Sequence, residues 1–205
     1  MIKNIIFDFG GVLFDIDFTK SFEAFEKLGF DNVEGMFTQH TADDLFQRLE
    51  KGKITAEDFY GELKKLSPNP VTTDQLQNAW NALLLNYRKE SLNFLTRLKN
   101  HYNLFLLSNT NAIHYAAFSK MLKDETKQER LEGFFTKAWF SHEIHRRKPD
   151  VETFEFVIND AGIKAAETLF IDDSFSNLPN AEKAGLKTHF LKPGEKIEEL
   201  DYSSY

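Results

Sequence analysis

The chain has 205 residues, a net charge of −7 and no cysteine. This length can bury a sizeable core, either as one domain or as a domain with a modest insert. The negative charge argues against nucleic-acid or anionic-membrane partners, and the absence of cysteine excludes disulfides, thiolate catalysis and cysteine-ligated metal. No stretch of the sequence is long and apolar enough to span a membrane. We therefore expect a soluble, cytoplasmic protein.

The first predicted element is a short buried strand that ends in a carboxylate. The strand covers Ile2–Phe7, Asp8 follows at once, and Gly10 and Gly11 come soon after, which is typical of a tight turn. In an open α/β sheet, ligands bind at the carboxyl ends of the strands. A buried strand has no structural use for a carboxylate at that point, so Asp8 indicates chemistry.

The stretch from Ile16 to Asn86 contains no convincing strand and shows helical spacing instead. Apolar residues recur three or four positions apart in four sets, namely Phe18, Phe22, Phe25 and Leu28; Leu45, Phe46 and Leu49; Phe59, Leu63 and Leu66; and Leu76, Trp80 and Leu83 or Leu84. Thr41 and Thr55 stand where helix N-caps would lie, and Gly29 and Gly52 stand where helices would end. We therefore predict about four inserted helices.

After this insert, short apolar runs alternate with helical patterns, which is typical of βαβ units and a parallel sheet. The predicted strands are Asn103–Leu107, Lys137–Phe140, Thr168–Ile171 and Lys187–Leu191, and the helical patterns include Asn111–Leu122, Val151–Ala161 and Leu178–Ala184. The predicted fold class is α/β, with a Rossmann-like doubly wound parallel sheet. We expect an α/β core at 1–16 and 87–205 and a small helical cap domain at 17–86, which would cover the carboxyl end of the sheet as a lid.

Three further groups of polar residues fall at places that match Asp8. Ser108 and Asn109 follow the second predicted strand of the core, Asp172 and Asp173 follow the fourth, and Lys148 stands in a basic cluster before a helix. Parallel strands would bring three of the four groups to one edge of the sheet, and the basic cluster could approach on a loop.

The chemistry of these residues favours phosphoryl transfer. Crowded carboxylates repel one another unless a cation or proton is present, and hard oxygen ligands without histidine or cysteine suit Mg²⁺. Mg²⁺, Lys148 and the Ser108 hydroxyl together would surround the anionic oxygens of a phosphoryl group. Asp8 beside the metal could attack phosphorus and form an aspartyl-phosphate. The predicted partner is therefore a small phosphorylated molecule.

Plainer roles are open for several of these residues. Asp172 and Asp173 could cap the next helix, and Ser108–Thr110 could cap the helix that begins near Asn111. Arg146 is typical of a solvated surface, whereas the role of Arg147 is open. The aromatic residues of the insert, Trp80 included, could fill its core or stack on a sugar, and the spacing of His142 and His145 fits no zinc site.

The four motifs, in this order, resemble those of the haloacid dehalogenase-like (HAD) superfamily, in the group with a small helical cap after the first motif. The resemblance covers nearly the whole chain. It implies that Asp8 is the nucleophile and, with the Gly10 carbonyl and Asp173, a Mg²⁺ ligand. It further implies that Lys148 holds Asp8 and the phosphoryl charge, that Ser108, Asn109 and Gly11 bind the substrate, and that Asp172, Asn177 and Asp15 support the site. The Ser-Asn-Thr and Arg-Lys-Pro sequences look particularly similar to those of bacterial sugar-1-phosphate phosphatases, such as α-D-glucose-1-phosphate phosphatases.

One position departs from the family pattern. Phosphatases of this superfamily usually carry a second aspartate two residues after the nucleophile, as a general acid–base, and Gly10 stands there. Losing such a group typically forfeits about 10²–10⁴ in rate, and Asp15 lies on the far side of the turn. Either another residue donates the proton, or the substrate needs less help, as a sugar-1-phosphate would because its anomeric oxygen leaves readily. The alternatives are a metal-free haloacid dehalogenase and a non-catalytic member that binds a phosphorylated ligand or a protein.

Overall fold

The computed structural model describes residues 1–33, 40–126 and 128–205, with the backbone alone for residues 40–44. Its centre is a five-stranded sheet in the order β5-β4-β1-β6-β7, with every pair of neighbours parallel. This arrangement confirms the predicted strands to within two residues at each end. The strands are β1 (Asn4–Phe7), β4 (Asn103–Ser108), β5 (Lys137–Phe140), β6 (Thr168–Asp172) and β7 (Lys187–Phe190).

Helices cover both faces of this sheet. Ile5 and Phe7 of β1 pack into the apolar cluster on one face, and Ile6 packs into the cluster on the other, because successive side chains of a strand point to opposite sides. None of the helices in the described ranges is long and apolar enough to cross a membrane. The main helices of the core are Lys89–Leu98, Ala112–Thr126, Val151–Ala161 and Leu178–Lys183.

The strand order reverses at β1, which places the candidate residues together. Phe7 is paired with Leu106 of β4 on one side and with Ile171 of β6 on the other. The residues that follow these positions, Asp8 and Asp172 among them, therefore lie at the same edge. A crevice at such a reversal is where open α/β sheets bind their ligands.

Four helices lie between β1 and β4 within the described part of the insert, as predicted. They pack around a separate apolar cluster that includes Phe59 and Trp80. Thr55 forms a reciprocal capping box with Asp58, and Gly52 takes the left-handed conformation after its helix; the predicted Thr41 cap lies outside the described side chains. The helices are Phe18–Lys27, His40–Glu50, Ala56–Leu66 and Thr73–Asn81.

A two-stranded antiparallel sheet corrects the prediction that the insert has no strand. It pairs β2 (Phe14–Ile16) with β3 (Leu84–Tyr87). The last helix of the insert ends at Asn81, so Leu83 and Leu84 are not helical. Strands this short show too little alternation to be recognised, and the two leucines continue the helical spacing by coincidence. This two-stranded sheet lies where the chain enters and leaves the insert.

Candidate active site

A buried lysine joins two carboxylates at the carboxyl edge of the sheet. Lys148 Nζ donates hydrogen bonds to Asp8 Oδ1 at 2.6 Å and to Asp172 Oδ2 at 2.7 Å. The side chains of Lys148 and Asp172 are 1% and 0% exposed, whereas that of Asp8 is 13% exposed. Such burial makes each charge costly unless its partners are in place. The structure thus brings together three of the predicted site residues and leaves Asp8 accessible.

Asn109 holds the backbone of Lys148 in place. Its side-chain nitrogen donates to the Lys148 carbonyl at 2.8 Å, and its side-chain oxygen accepts from the Lys148 backbone N–H at 2.9 Å. Because both ends of the amide are engaged with Lys148, the side chain acts as a clamp between β4 and the loop that carries the lysine. A substrate-binding role of Asn109, as predicted, would therefore fall mainly to its backbone.

Asp172 and Asp173 are neighbours in sequence but have different surroundings. Asp172 Oδ1 accepts from the Ser174 backbone N–H at 2.7 Å, and Oδ2 accepts from Asn177 at 2.9 Å as well as from Lys148. Asp173 is exposed instead. Asp172 thus spends its lone pairs on protein donors, which leaves Asp173 as the carboxylate better placed for a cation. Asn177 donates a hydrogen bond to Asp172. It lies in a 3-10 turn, Phe175–Asn177, before the next helix and not in that helix.

Gly11 lies against Asp173 in a way that only glycine allows. It has a φ of +71°, and a β-carbon built on it would be 1.8 Å from Asp173 Oδ2. Gly10 differs, since its nearest neighbour to such a β-carbon is the flexible end of Ile16 at 3.0 Å. A side chain would therefore be harder to accommodate at position 11, next to the Asp173 carboxylate, than at position 10.

The electrostatics of the cluster are those of crowded carboxylates. Burial, with a smaller effect from the charges of Asp172 and Asp173, raises the pKa of Asp8 to about 7, although Lys148 acts in the opposite direction. Burial, followed by the charge of Asp172, also raises the pKa of Asp173. Burial alone would lower the pKa of Lys148, but Asp172 and Asp8 raise it above its usual range. The lysine therefore stays charged while the carboxylates call for more positive charge.

The residues present fit a divalent metal ion. Asp8, Asp172 and Asp173 each place a carboxylate oxygen within 4.8 Å of the others. Three carboxylates and one ammonium group leave a formal charge of −2, which a divalent cation would balance. Hard oxygen donors of this kind suit Mg²⁺. Asp8, Asp173 and the Gly10 carbonyl are the groups that would hold it.

A cavity of about 170 Å³ opens beside Gly10 and Ser108, between the core and the inserted helices. Ser108 is buried at the end of β4, which is where the sequence predicts a phosphoryl-binding hydroxyl. The next helix is capped by Asn111, whose side-chain oxygen accepts from the backbone N–H groups of Ile113 and His114. The alternative that Ser108–Thr110 cap this helix is therefore wrong, and these residues face the cavity instead.

Asp15 is tied up outside this cavity. It accepts hydrogen bonds from Arg88 Nε at 2.7 Å and from the Asn86 side chain at 2.9 Å. The second of these bonds joins the two strands β2 and β3. It is not among the described residues that line the cavity with Gly10. It lines a second cavity together with Gly11 and Asp173, so it lies beside the carboxylate cluster rather than in the cavity next to Gly10.

Sequence reasoning missed a buried contact between the insert and the core. The rings of Trp80 and His114 stack with centroids 4.6 Å apart, and His114 Nε2 lies 3.0 Å from the Trp80 carbonyl oxygen. The Asn111 side-chain nitrogen lies 3.1 Å from His114 Nδ1. The spacing of Asn111 and His114, three apart at a helix start, was the available signal, but nothing in the sequence pairs them with Trp80.

Arg147 also contacts the insert, whereas Arg146 contacts an aromatic ring of the core. Arg147 Nε lies 3.0 Å from Glu50 Oε2 at the end of helix His40–Glu50. Arg146 is exposed and lies over the ring of Phe156, as expected for a surface residue. His145 Nδ1 lies 2.8 Å from the Lys51 carbonyl oxygen, so it has a hydrogen-bonding role.

Comparisons with known proteins identify the family of this chain. The family model for haloacid dehalogenase-like hydrolases matches residues 2–185. A D-ribitol-5-phosphate phosphatase from Bacteroides thetaiotaomicron is 35% identical over 189 residues, which cover 92% of this chain and 91% of that protein. None of the relatives described here is a sugar-1-phosphate phosphatase, so that narrower likeness stays a prediction.

Two solved structures cover nearly the whole chain. The HAD family enzyme bt-2542 from Bacteroides thetaiotaomicron, crystallised as an aspartate-to-alanine variant with magnesium and inorganic phosphate, is 36% identical, with a TM-score of 0.88 and coverage of 100% of this chain and 98% of that one. A predicted HAD-like family hydrolase from Porphyromonas gingivalis is 33% identical, with a TM-score of 0.86 and coverage of 95% and 93%. By sequence and by structure, this chain belongs to the haloacid dehalogenase-like hydrolase family.

Proposed function

We propose that this protein is a Mg²⁺-dependent phosphatase that removes the phosphoryl group from a small sugar or sugar-alcohol phosphate. The observation that carries the proposal is the accessible Asp8 carboxylate held by buried Lys148, with Asp173 beside it. The relatives support it, since one is named as a phosphatase of a sugar-alcohol phosphate and another was crystallised with magnesium and phosphate.

Asp8 acts as the nucleophile in this reaction. Its carboxylate oxygen forms a bond to phosphorus while the bond from phosphorus to the alcohol oxygen breaks, which gives an aspartyl-phosphate. Water then attacks the phosphorus, releases inorganic phosphate and restores Asp8. Lys148 keeps the attacking carboxylate in place through its 2.6 Å hydrogen bond and offers a positive charge to the phosphoryl oxygens. When bound, Mg²⁺ supplies further positive charge to the same oxygens.

The cavity supports a small leaving group. Its volume of about 170 Å³ is on the scale that holds a benzene-sized molecule, which suits one sugar ring or a short polyol. Its walls combine polar groups with aromatic faces, as is common for sites that orient a small ligand. The aromatic residues among them include Phe14, Phe18, Phe46, Trp80 and Phe118.

Among the described residues that line the cavity, none is suited to donate a proton at neutral pH, and this supports a phosphate on an anomeric carbon as the preferred substrate. The titratable residues that line the described part of the cavity are Glu50, His114 and Arg147. Glu50 faces Arg147, and burial lowers the pKa of His114 to about 4, so neither suits general acid catalysis at neutral pH. An anomeric oxygen leaves with little protonation, whereas the primary oxygen of ribitol 5-phosphate requires more help.

The test is hydrolysis of an aryl phosphate, with and without EDTA, by the wild type and by Asp8→Asn. We expect activity that EDTA removes and Mg²⁺ restores, and no turnover by Asp8→Asn. The asparagine variant should fold at least as stably, because it relieves repulsion among the carboxylates. Phosphate release that persists in EDTA, or in Asp8→Asn at the wild-type rate, would contradict the proposal. Chloride release from a 2-chloroacid without metal would favour the dehalogenase instead.

A further inference from the structure

The end of one inserted helix is docked on the loop that carries the lysine. Helix His40–Glu50 ends beside Arg147, whose Nε lies 3.0 Å from Glu50 Oε2. Next along the chain, Lys51 Nζ lies 3.5 Å from Asp150 Oδ2, and the Lys51 carbonyl accepts a hydrogen bond from His145. The docking therefore spans several contacts on both sides of Lys148.

Gly52 makes this docking close. A β-carbon on Gly52 would be 2.1 Å from the backbone carbonyl oxygen of His142, and its φ is +60°. Backbone thus packs directly on backbone at this point, as glycine permits. The position of Glu50 relative to Lys148 is set by this contact and by the Lys51 contacts, so it does not depend on the ion pair with Arg147 alone.

Glu50 and Arg147 also line the cavity beside Gly10. Both side chains are about one-quarter exposed, at 27% and 26%, so they are accessible from the cavity. A carboxylate accepts hydrogen bonds, whereas a guanidinium group donates them in a fixed fork. Side by side, they match neighbouring hydroxyl groups, each of which can donate and accept.

We infer that Glu50 and Arg147 together are the specificity-determining pair, and that they recognise hydroxyl groups on the leaving group of the substrate. The inference rests on the proposed phosphatase function. The two residues form hydrogen bonds with the polyol or sugar, while Asp8 and Lys148 carry out the chemistry on phosphorus. Phe46 and Trp80 line the same cavity but are only 7% and 4% exposed, so they form an apolar wall beside the carbon skeleton rather than free stacking faces.

The test compares substrates with and without hydroxyl groups. Glu50→Gln and Arg147→Met are assayed with D-ribitol 5-phosphate and α-D-glucose 1-phosphate, and with phenyl phosphate, which has no hydroxyl group on its leaving group. Loss of a hydrogen bond to a charged group costs roughly 10- to 100-fold. We expect a fall of that size in kcat/KM on whichever hydroxylated substrate the wild type prefers, and a change below about threefold on phenyl phosphate.

Lys51→Met is the matched control, since it removes a charge from the same docking contact without lining the cavity. It should change all substrates by the same factor. Equal losses on phenyl phosphate and the hydroxylated substrates in Glu50→Gln and Arg147→Met would show a docking role alone, and no loss on either would remove the pair from specificity; both outcomes overturn the inference. Failure of the wild type on every phosphate would instead overturn the proposed phosphatase function.

Discussion

The α-carbon of Gly11 faces the carboxylate of Asp173 so closely that a β-carbon there would lie 1.8 Å from Oδ2. A side chain at this position would therefore displace the Asp173 carboxylate, and the left-handed backbone there, with a φ of +71°, also favours glycine. Because Asp173 is the exposed carboxylate of the cluster, this fit decides where a metal ion would be held.

We predict that Gly11→Ala damages metal binding. The clash would displace Asp173, and the left-handed backbone would cost about 1–3 kcal/mol for a residue with a side chain. A displacement of about 1 Å at a reacting centre can cost about 100-fold in rate. The measurement is Mg²⁺ affinity by calorimetry, together with kcat/KM. Gly10→Ala is the control, because its β-carbon meets only the flexible end of Ile16; equal damage by both would contradict the assignment.

Gly10→Asp should add a proton donor, which the described residues lining the cavity do not supply. The position does not have the left-handed backbone of Gly11, and Ile16 needs to shift by only a few tenths of an ångström. We expect the wild type to show a steep dependence of kcat/KM on leaving-group acidity, and Gly10→Asp a flatter one. The measurement is a series of phosphates of graded acidity, under conditions where chemistry limits the rate. A flat series for the wild type would mean that another group already donates the proton.

Asp173→Asn and Asp172→Asn should fail in different ways. Asp173→Asn removes a charged metal ligand, so its activity should recover in part at high Mg²⁺. Asp172→Asn removes a buried partner of Lys148 and should lower kcat without rescue by metal. Titration of activity against Mg²⁺ separates the two. Rescue of Asp172→Asn alone would reverse their roles.

Asn109→Ala should lower kcat more than it raises KM. Loss of the clamp frees the backbone of Lys148, whose charge matters most as the phosphoryl group is transferred. We expect a fall in kcat of about 10-fold or more, with Tm followed in parallel. Asn109→Asp keeps the acceptor for the Lys148 N–H but loses the donor, so its kcat should lie between those of the wild type and Asn109→Ala. A rise in KM alone would place Asn109 in substrate binding.

His114 should make the folded protein less stable in acid. Burial lowers its pKa from 6.5 to about 4, so below pH 6.5 the unfolded chain binds a proton that the folded protein does not. Stability should fall by about 1.4 kcal/mol per pH unit between pH 6.5 and pH 4, and by about 3 kcal/mol in all. His114→Gln keeps a donor for the Trp80 carbonyl and an acceptor for Asn111, and its unfolding free energy should lack this slope. Parallel pH profiles for both proteins would contradict the prediction.

The sheet and the order of its motifs could be predicted from the sequence. The predicted strand before Asp8 is a short apolar run, and a carboxylate at the end of such a run has no structural use, so Asp8 could be singled out from the sequence. Asp172 could not, because a helix-capping role was equally open to it. The parallel βαβ pattern also placed Ser108 at the same edge as Asp8, because the carboxyl ends of parallel strands meet. These features depend on neighbours in sequence and on one general rule of topology.

The different roles of these residues become apparent only in the folded chain. Asn109 clamps Lys148 across 39 residues, and Glu50 meets Arg147 across a longer separation still. The two adjacent aspartates, identical in type, differ because Asp172 is surrounded by donors and Asp173 lies beside Gly11. Such contacts depend on the packing of distant segments, and no local pattern records which amide, carbonyl or charge a side chain will meet. The two-stranded sheet of β2 and β3 was missed for the same reason. Its strands are too short to show alternation, and they form only because distant segments pair with each other.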